Sequence, residues 1–311
     1  MRIVFFGNAD FGCNVIDGLV SSKHDIVGVV TNKDKKSGRN LRLSQTPIKK
    51  KALSLGLNLI EQDDLKESMF INQLKEISAD LFIVIAYKIL PKEIYQIPAF
   101  GSINLHASLL PAYKGAAPIQ RAIINNESYT GLSSFFLNES IDGGELIFQS
   151  KVDIDKNDTF KEVWTKLYID SSDFILETLE LIENKEKRLI KGCPLIESYA
   201  SKIKKTELKI DWNEKNTLVH NKIRAFSPYP SMYTVFNGKR LKILKSRIIS
   251  DNINSRISGE VFAENSRLLV KCGVGALEIL SLQPDSKRKM NAIDFINGSI
   301  LSNSEKTIAF E

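Results

Sequence analysis

The chain of 311 residues is 43% hydrophobic and 26% charged with a formal net charge of +6, which predicts a globular protein of one large or two moderate domains. No apolar run approaches the roughly 18–20 residues of a membrane span, and the start, MRIVFFGNADFG, reads as a strand and not as a signal peptide. Cys13, Cys193 and Cys272 are odd in number and far apart, which argues against a disulfide framework or zinc knuckle and for a reducing, cytoplasmic setting.

In chain order, short runs rich in Ile, Val and Phe at 2–7, 25–31, 81–87 and 102–107 alternate with segments at 11–21, 47–55 and 65–77 whose apolar residues recur at helical spacing. Such alternation predicts crossover connections and an α/β, doubly wound, mainly parallel sheet of Rossmann-like type, with ligands at the carboxyl ends of the strands. That places Gly7, Thr31, Tyr87 and His106 on one rim. Two more strands are expected at 132–139 and 145–154 around the turn SIDGG, then a long amphipathic helix from Thr159 to about Asn184, with Asp158 or Thr159 as N-cap. A polar stretch without periodicity reads as a linker. Beyond it come a helix over 218–226, a hairpin over 233–249 turning on Asn237-Gly238, short strands at 258–264, 267–272 and 275–282, and a late helix at 290–298. This is a small β-rich module compatible with an open, OB-like barrel. The predicted division is a catalytic domain at 1–188, a linker at 189–206 and a C-terminal domain at 207–311.

The positive charge is uneven. Residues 1–204 hold 26 basic and 26 acidic side chains, and 205–311 hold 17 and 11. Within the neutral part, 33–51 (KDKKSGRNLRLSQTPIKKK) has eight basic residues and one acid. Surplus charge gathered into two patches suits a polyanion partner.

The segment 101–121, GSINLHASLLPAYKGAAPIQR, sets Asn104 and His106 two apart near the end of a predicted strand, hence on one face. An amide that donates without titrating, beside an imidazole that donates or shuttles a proton near neutral pH, is what a transient oxyanion requires. Asp142, in the turn SIDGGE, is a carboxylate able to return to the same rim, and its two glycines allow close backbone approach. Taken alone, these residues leave a structural role open, since a strand-end His often completes a core and an Asp before Gly-Gly is usually a turn residue. Gly7 and Gly12 make neither a phosphate-binding loop nor a dinucleotide fingerprint, so NAD is not expected. Three scattered Cys and three scattered His offer no zinc set.

INLHASLLPAYKGAAPIQRAI followed by SIDGGELI resembles the folate-dependent formyltransferases. The shared pattern is carried by Asn104, His106, Ser108 to Pro111, Gly115 to Ile119 and Asp142, and the likeness continues over nearly the whole chain. The resemblance implies 10-formyltetrahydrofolate as donor and no metal. It implies Asn104 and His106 as oxyanion donors, with Asp142 setting the imidazole's charge and assisting removal of the amine proton. It further implies that Ser108, Leu109, Leu110 and Pro111 hold the pteridine by backbone contacts. Where the family has Gly-Thr-Pro-x-Phe, this chain has Gly7, Asn8, Ala9, Asp10 and Phe11.

Acceptors differ within the family. Glycinamide ribonucleotide enzymes end about a hundred residues earlier. TNKDKKSGRNLRLSQTPIKKK is similar to an inserted loop of the tRNA-acting branch. Lys33, Lys35, Lys36, Arg39 and Arg42 on that loop suit phosphates near an acceptor end, though a merely solvated loop would carry them too. Ile210, Asp211, Trp212, Ile223 to Phe226, Pro228, Pro230 and Tyr233 match a C-terminal signature shared with nucleotide-sugar formyltransferases. After it, GKRLKILKSR adds Lys239, Arg240, Lys242, Lys245 and Arg247 without an acid, and SKRK adds Lys287, Arg288 and Lys289. The resemblance to the tRNA-acting branch implies initiator methionyl-tRNA as acceptor, and the protein is expected to act as a monomer at translation initiation. A nucleotide-sugar amine is the alternative acceptor, and a silent folate- or RNA-binding protein is the rival from outside enzymology.

Overall fold

Strand Leu81–Ile85 is buried at every position and strand Arg2–Gly7 at all but its first residue, as a strand covered on both faces by crossover helices must be. The computed structural model describes residues 1–37, 42–189, 196–249, 256–298 and 308–310. By contacts it divides into two units, one of 1–115, 130–152 and 165–199, the other of 116–129, 153–164 and 200–311.

The first unit is built on a seven-stranded sheet in the order 146–153, 129–136, 102–106, 81–85, 2–7, 25–31, 59–61. From 102–106 to 59–61 neighbouring strands are parallel, and 129–136 joins 102–106 antiparallel. The order reverses direction at strand 2–7, so the crevice at its carboxyl end is a topological switch point. On one face Val4, Phe6, Val30, Phe82 and Val84 pack with Phe70, Leu74, Ile94 and Tyr95 from two short crossover helices. On the other, Phe5 and Ile48 of helix Pro47–Ser54 close over Gly7. Strand 81–85 stops two residues earlier than its hydrophobic run because Ala86 turns to φ +48. The long helix begins at Phe160, and Thr159 donates its N–H to Glu162 over 2.6 Å, half of a capping box.

In the second unit an antiparallel sheet runs in the order 232–236, 239–249, 276–284, 267–271, 260–264, 308–309, with 290–291 beside 276–284. Asn237 (φ +50) and Gly238 (φ +71) make the tight hairpin turn, the conformation that Asn-Gly favours. The core gathers Trp212, Ile223, Phe226, Leu241, Ile243, Leu277, Ile279 and Phe310. The C-terminal signature is thus largely a packing pattern. Arg224, 3% exposed, donates to Asn221 Oδ1 at 3.0 Å, the Asp158 carbonyl at 3.1 Å and the Ile123 carbonyl at 3.3 Å. A buried guanidinium so used ties 116–129 and 153–164 to this unit. No described helix is long and apolar enough to cross a membrane.

Candidate active site

Strand Ser102–His106 runs parallel to Leu81–Ile85 with Val84 opposite Asn104, and antiparallel to Tyr129–Phe136 with His106 opposite Ser133. Asn104 and His106 therefore share one face and one end of the sheet. His106 is 7% exposed and Asn104 half-buried. Among the described residues the Asn104 carboxamide has no hydrogen-bond partner.

Asp142 reaches this pair. Its Oδ2 lies 3.8 Å from His106 Nδ1 and accepts the Gly115 N–H at 2.8 Å. The turn is shaped for it: Asp142 sits at φ +49, a left-handed conformation open to Asp. A Cβ at Gly144 would lie 1.6 Å from the Phe136 carbonyl oxygen, so only glycine lets the returning chain pass that close to the strand. Asn138 braces the loop, accepting from the Ser140 N–H at 2.8 Å and donating to the Gly143 carbonyl at 3.2 Å.

The other imidazole nitrogen decides the tautomer. His106 Nε2 is 2.9 Å from the Tyr113 carbonyl, which only accepts, so Nε2 carries a proton. In the neutral ring Nδ1 is then the basic nitrogen, and it is the one that faces Asp142.

The segment Ser108 to Pro111 is a fixed bend. Ser108 and Leu110 are buried, and Ser133 Oγ accepts the Leu110 N–H at 3.0 Å while donating to the Ser108 carbonyl at 2.7 Å. Gln149 Nε2 donates to the Leu110 carbonyl at 2.8 Å. Several of its backbone groups are thus already paired inside the protein. The departure at the first strand also has a local use: Asn8 Oδ1 accepts from Thr31 Oγ1 at 3.0 Å and from the Asn32 N–H at 2.9 Å, tying the ends of two strands. Tyr113, Gly115, Ser133 and Gln149 carried no sequence signal for these tasks, since all four act through backbone groups or on them.

Of the basic residues, Lys33, Lys35 and Lys36 are exposed, and Lys35 lies 3.5 Å from Asp63. Residues 35–37 and 42–44 form a short antiparallel ribbon. Arg39 lies outside the described residues, as does the Arg42 side chain. On strand Lys239–Ile249, Lys239 and Arg240 are exposed and Lys242 half-buried, and the Arg240 guanidinium stacks 3.5 Å from the Tyr233 ring centre. Leu241 and Ile243 point into the core. Strict alternation would send Lys245 and Arg247 inward with them. The register shifts between Ile243 and Lys245, leaving Leu244 as the extra residue, and Lys245 and Arg247 emerge exposed while Ser246 turns inward to His220 at 2.9 Å. Arg247 is paired with Glu278 at 2.8 Å.

Residues 1–179 match the formyl transferase model and 202–299 the formyl transferase C-terminal domain model. The methionyl-tRNA formyltransferase of Fusobacterium nucleatum is 34% identical over 309 residues, covering 98% of this chain and 99% of that protein. The chain belongs to the methionyl-tRNA formyltransferase family. The enzyme of that name from Thermodesulfovibrio yellowstonii is 38% identical, with 95% of each chain covered. Among solved structures, WlaRD, a sugar 3N-formyltransferase crystallised with dTDP and 5-N-formyl-THF, shares the fold at TM-score 0.65 and 21% identity, over 93% of this chain and 99% of that one. Family membership thus extends through both units, while the likeness to WlaRD is one of fold.

Proposed function

We propose that this protein transfers the formyl group of 10-formyltetrahydrofolate to the free amino group of methionyl initiator tRNA, for the initiation of protein synthesis. The observation that carries the reading is the Asp142 carboxylate fixed at the basic nitrogen of His106, beside the carboxamide of Asn104, which has no partner among the described residues. A formyl group fits there because its oxygen, once negative in the tetrahedral intermediate, needs donors, and Asn104 has its amide protons to give.

The new bond joins the methionyl nitrogen to the formyl carbon, and the bond from that carbon to N10 of the folate breaks. The amine loses one proton and N10 gains one. His106 Nδ1 is placed to take the first and return the second. Asp142 stabilises the imidazolium between the two events, and the Tyr113 carbonyl holds the ring so that Nε2 does not compete. Asn104, which does not titrate, faces the developing oxyanion throughout. The Ser108–Pro111 bend presents the folate ring with a surface that its own internal bonds keep from moving.

In this reading 1–188 carry the chemistry, 189–206 link, and 207–311 hold RNA. Lys33, Lys35, Lys36, Arg39 and Arg42 grip phosphates near the acceptor end, and Lys239, Arg240 and Lys242 do so on the barrel. The protein works as a cytoplasmic monomer without a metal. The deciding experiment supplies the folate donor with charged initiator tRNA, charged elongator methionine tRNA, or an amino-sugar nucleotide. Formylation of the initiator alone is expected, and transfer only to the sugar overturns the acceptor.

A further inference from the structure

Two groups of the catalytic pair are held by a single three-residue segment. Tyr113 gives its carbonyl to His106 Nε2 at 2.9 Å, and Gly115 gives its N–H to Asp142 Oδ2 at 2.8 Å. For both to point inward the backbone must bend sharply, and it does so with Tyr113 at φ +60 and Gly115 at φ +115. A tyrosine in the left-handed region is unfavourable and persists only where its surroundings over-determine it. Here residues 114–115 pair with 199–200, and Ser198 adds two bonds to the bend itself. Ser198 Oγ accepts the Tyr113 N–H at 2.9 Å, and the Ser198 carbonyl accepts the Lys114 N–H at 2.9 Å. Lys114 Nζ adds an ion pair to Glu197 at 2.9 Å on the same side.

We propose that Ser198, in the stretch that reads as a linker, is a positioning residue for formyl transfer: it clamps 113–115 from outside so that one segment fixes both the His106 tautomer and the Asp142 carboxylate. The inference rests on the proposed catalytic role of that pair. Ser198 touches neither substrate nor reacting atom. Its side-chain oxygen satisfies the Tyr113 N–H and its carbonyl the Lys114 N–H, and loss of the first removes a bond that opposes relaxation of Tyr113 from φ +60, a change in φ that displaces the carbonyl it carries. The Tyr113 carbonyl then leaves Nε2, and the neutral ring is no longer confined to the Nε2–H form.

The test compares Ser198→Ala with Ser198→Thr, which keeps the hydroxyl, in the full-length protein labelled with 15N-histidine. Wild type should show neutral His106 as the Nε2–H tautomer, Ser198→Ala a mixture of both, and Ser198→Thr the wild-type pattern. In parallel, kcat should fall roughly three- to tenfold in Ser198→Ala, the range set by one net hydrogen bond, with KM for both substrates within about twofold and recovery in Ser198→Thr. An unchanged tautomer in Ser198→Ala overturns the proposal. So does a loss of kcat that comes with a matching rise in KM and is not recovered by threonine. The tautomer is read without turnover, so a His106→Ala variant that keeps full activity would sink the catalytic reading separately from the clamp.

Discussion

The rim around His106 and the outer side of strand Lys239–Ile249 handle polarity in opposite ways. At the rim the imidazole is buried, and both its nitrogens and the facing carboxylate have assigned neighbours within one unit of the fold. On the strand, Lys239, Arg240 and Lys245 are exposed on a surface that side-chain alternation and one bulge suffice to make. The difference follows from what each does. Transfer of a one-carbon group depends on atoms held to fractions of an ångström, whereas attraction to a phosphate backbone depends on charge within a screening length. Order should therefore matter at the first and count of charges at the second.

The comparison breaks most directly at Asn104, the oxyanion donor, and His106, the proton carrier. Asn104→Ala and His106→Ala should each lower kcat by roughly 10²–10³ while leaving tRNA affinity within about twofold, measured by formylation and by filter binding. Equal losses in binding would mean that the two regions are not separable. Asn104 and His106 keep their backbone bonds in the sheet, so thermal unfolding should move little.

Gly144→Ala attacks order without removing a catalytic group. A methyl 1.6 Å from the Phe136 carbonyl oxygen cannot be accommodated, so the loop must shift and carry Asp142 with it. A displacement near 1 Å at a catalytic group costs on the order of 10²-fold in rate. Gly143→Ala meets instead the Ser140 Cβ at 2.8 Å, a milder overlap than that with the Phe136 carbonyl, and is expected to retain more activity. The ratio of the two rates measures how closely the carboxylate must be held.

Much of this was legible beforehand and the remainder was hidden for definite reasons. The parallel strands announced themselves as short apolar runs, and the hairpin through Asn237-Gly238. The period of 2 placed Asn104 beside His106. The three-residue strand Leu59–Glu61 is too brief to show a period, and helix Pro118–Ile124, of 7 residues, spans barely two turns. Tyr113 was invisible because it acts through its carbonyl, which every residue has, and Ser198 because its hydroxyl and carbonyl meet only peptide N–H groups. The bulge at Leu244 was equally silent, since KRLKILKSR carries no Gly or Asn to mark it. A strand read by alternation alone would have buried Lys245 and Arg247.

A buried histidine sharpens the comparison from the stability side. His220 donates no charge to the surface; its Nδ1 is 2.9 Å from Ser246 Oγ, and burial, aided by the Arg224 guanidinium, pushes its pKa from 6.5 down to about 4. The unfolded chain then binds the proton first as pH falls. The contribution is fully present above pH 6.5 and is lost progressively toward pH 4, to a total of about 3 kcal/mol. Urea unfolding followed from pH 7 to 4.5 should show that slope, and His220→Gln should flatten it. An unaltered slope in the variant would assign the acid sensitivity elsewhere.

The smallest effects are expected along the exposed strand, and they should sort by pairing. Lys245 has no acidic partner among the described residues, whereas Arg247 is bonded to Glu278, which is itself largely buried. A free lysine that meets a phosphate releases counterions, so Lys245→Ala should reduce the slope of log affinity against log salt by roughly 0.7–0.9 and weaken binding several-fold. Arg247 has to exchange one anion for another. Its replacement by Ala removes less attraction for RNA and leaves the Glu278 carboxylate unpaired, so the variant should change the salt slope by less than half as much while lowering the unfolding temperature. Lys242, half-buried beside Tyr233, should fall between them. If Arg247→Ala instead matched Lys245→Ala in slope, the ion pair would have to open on binding, and the strand would be governed by rearrangement in the way the rim is governed by order.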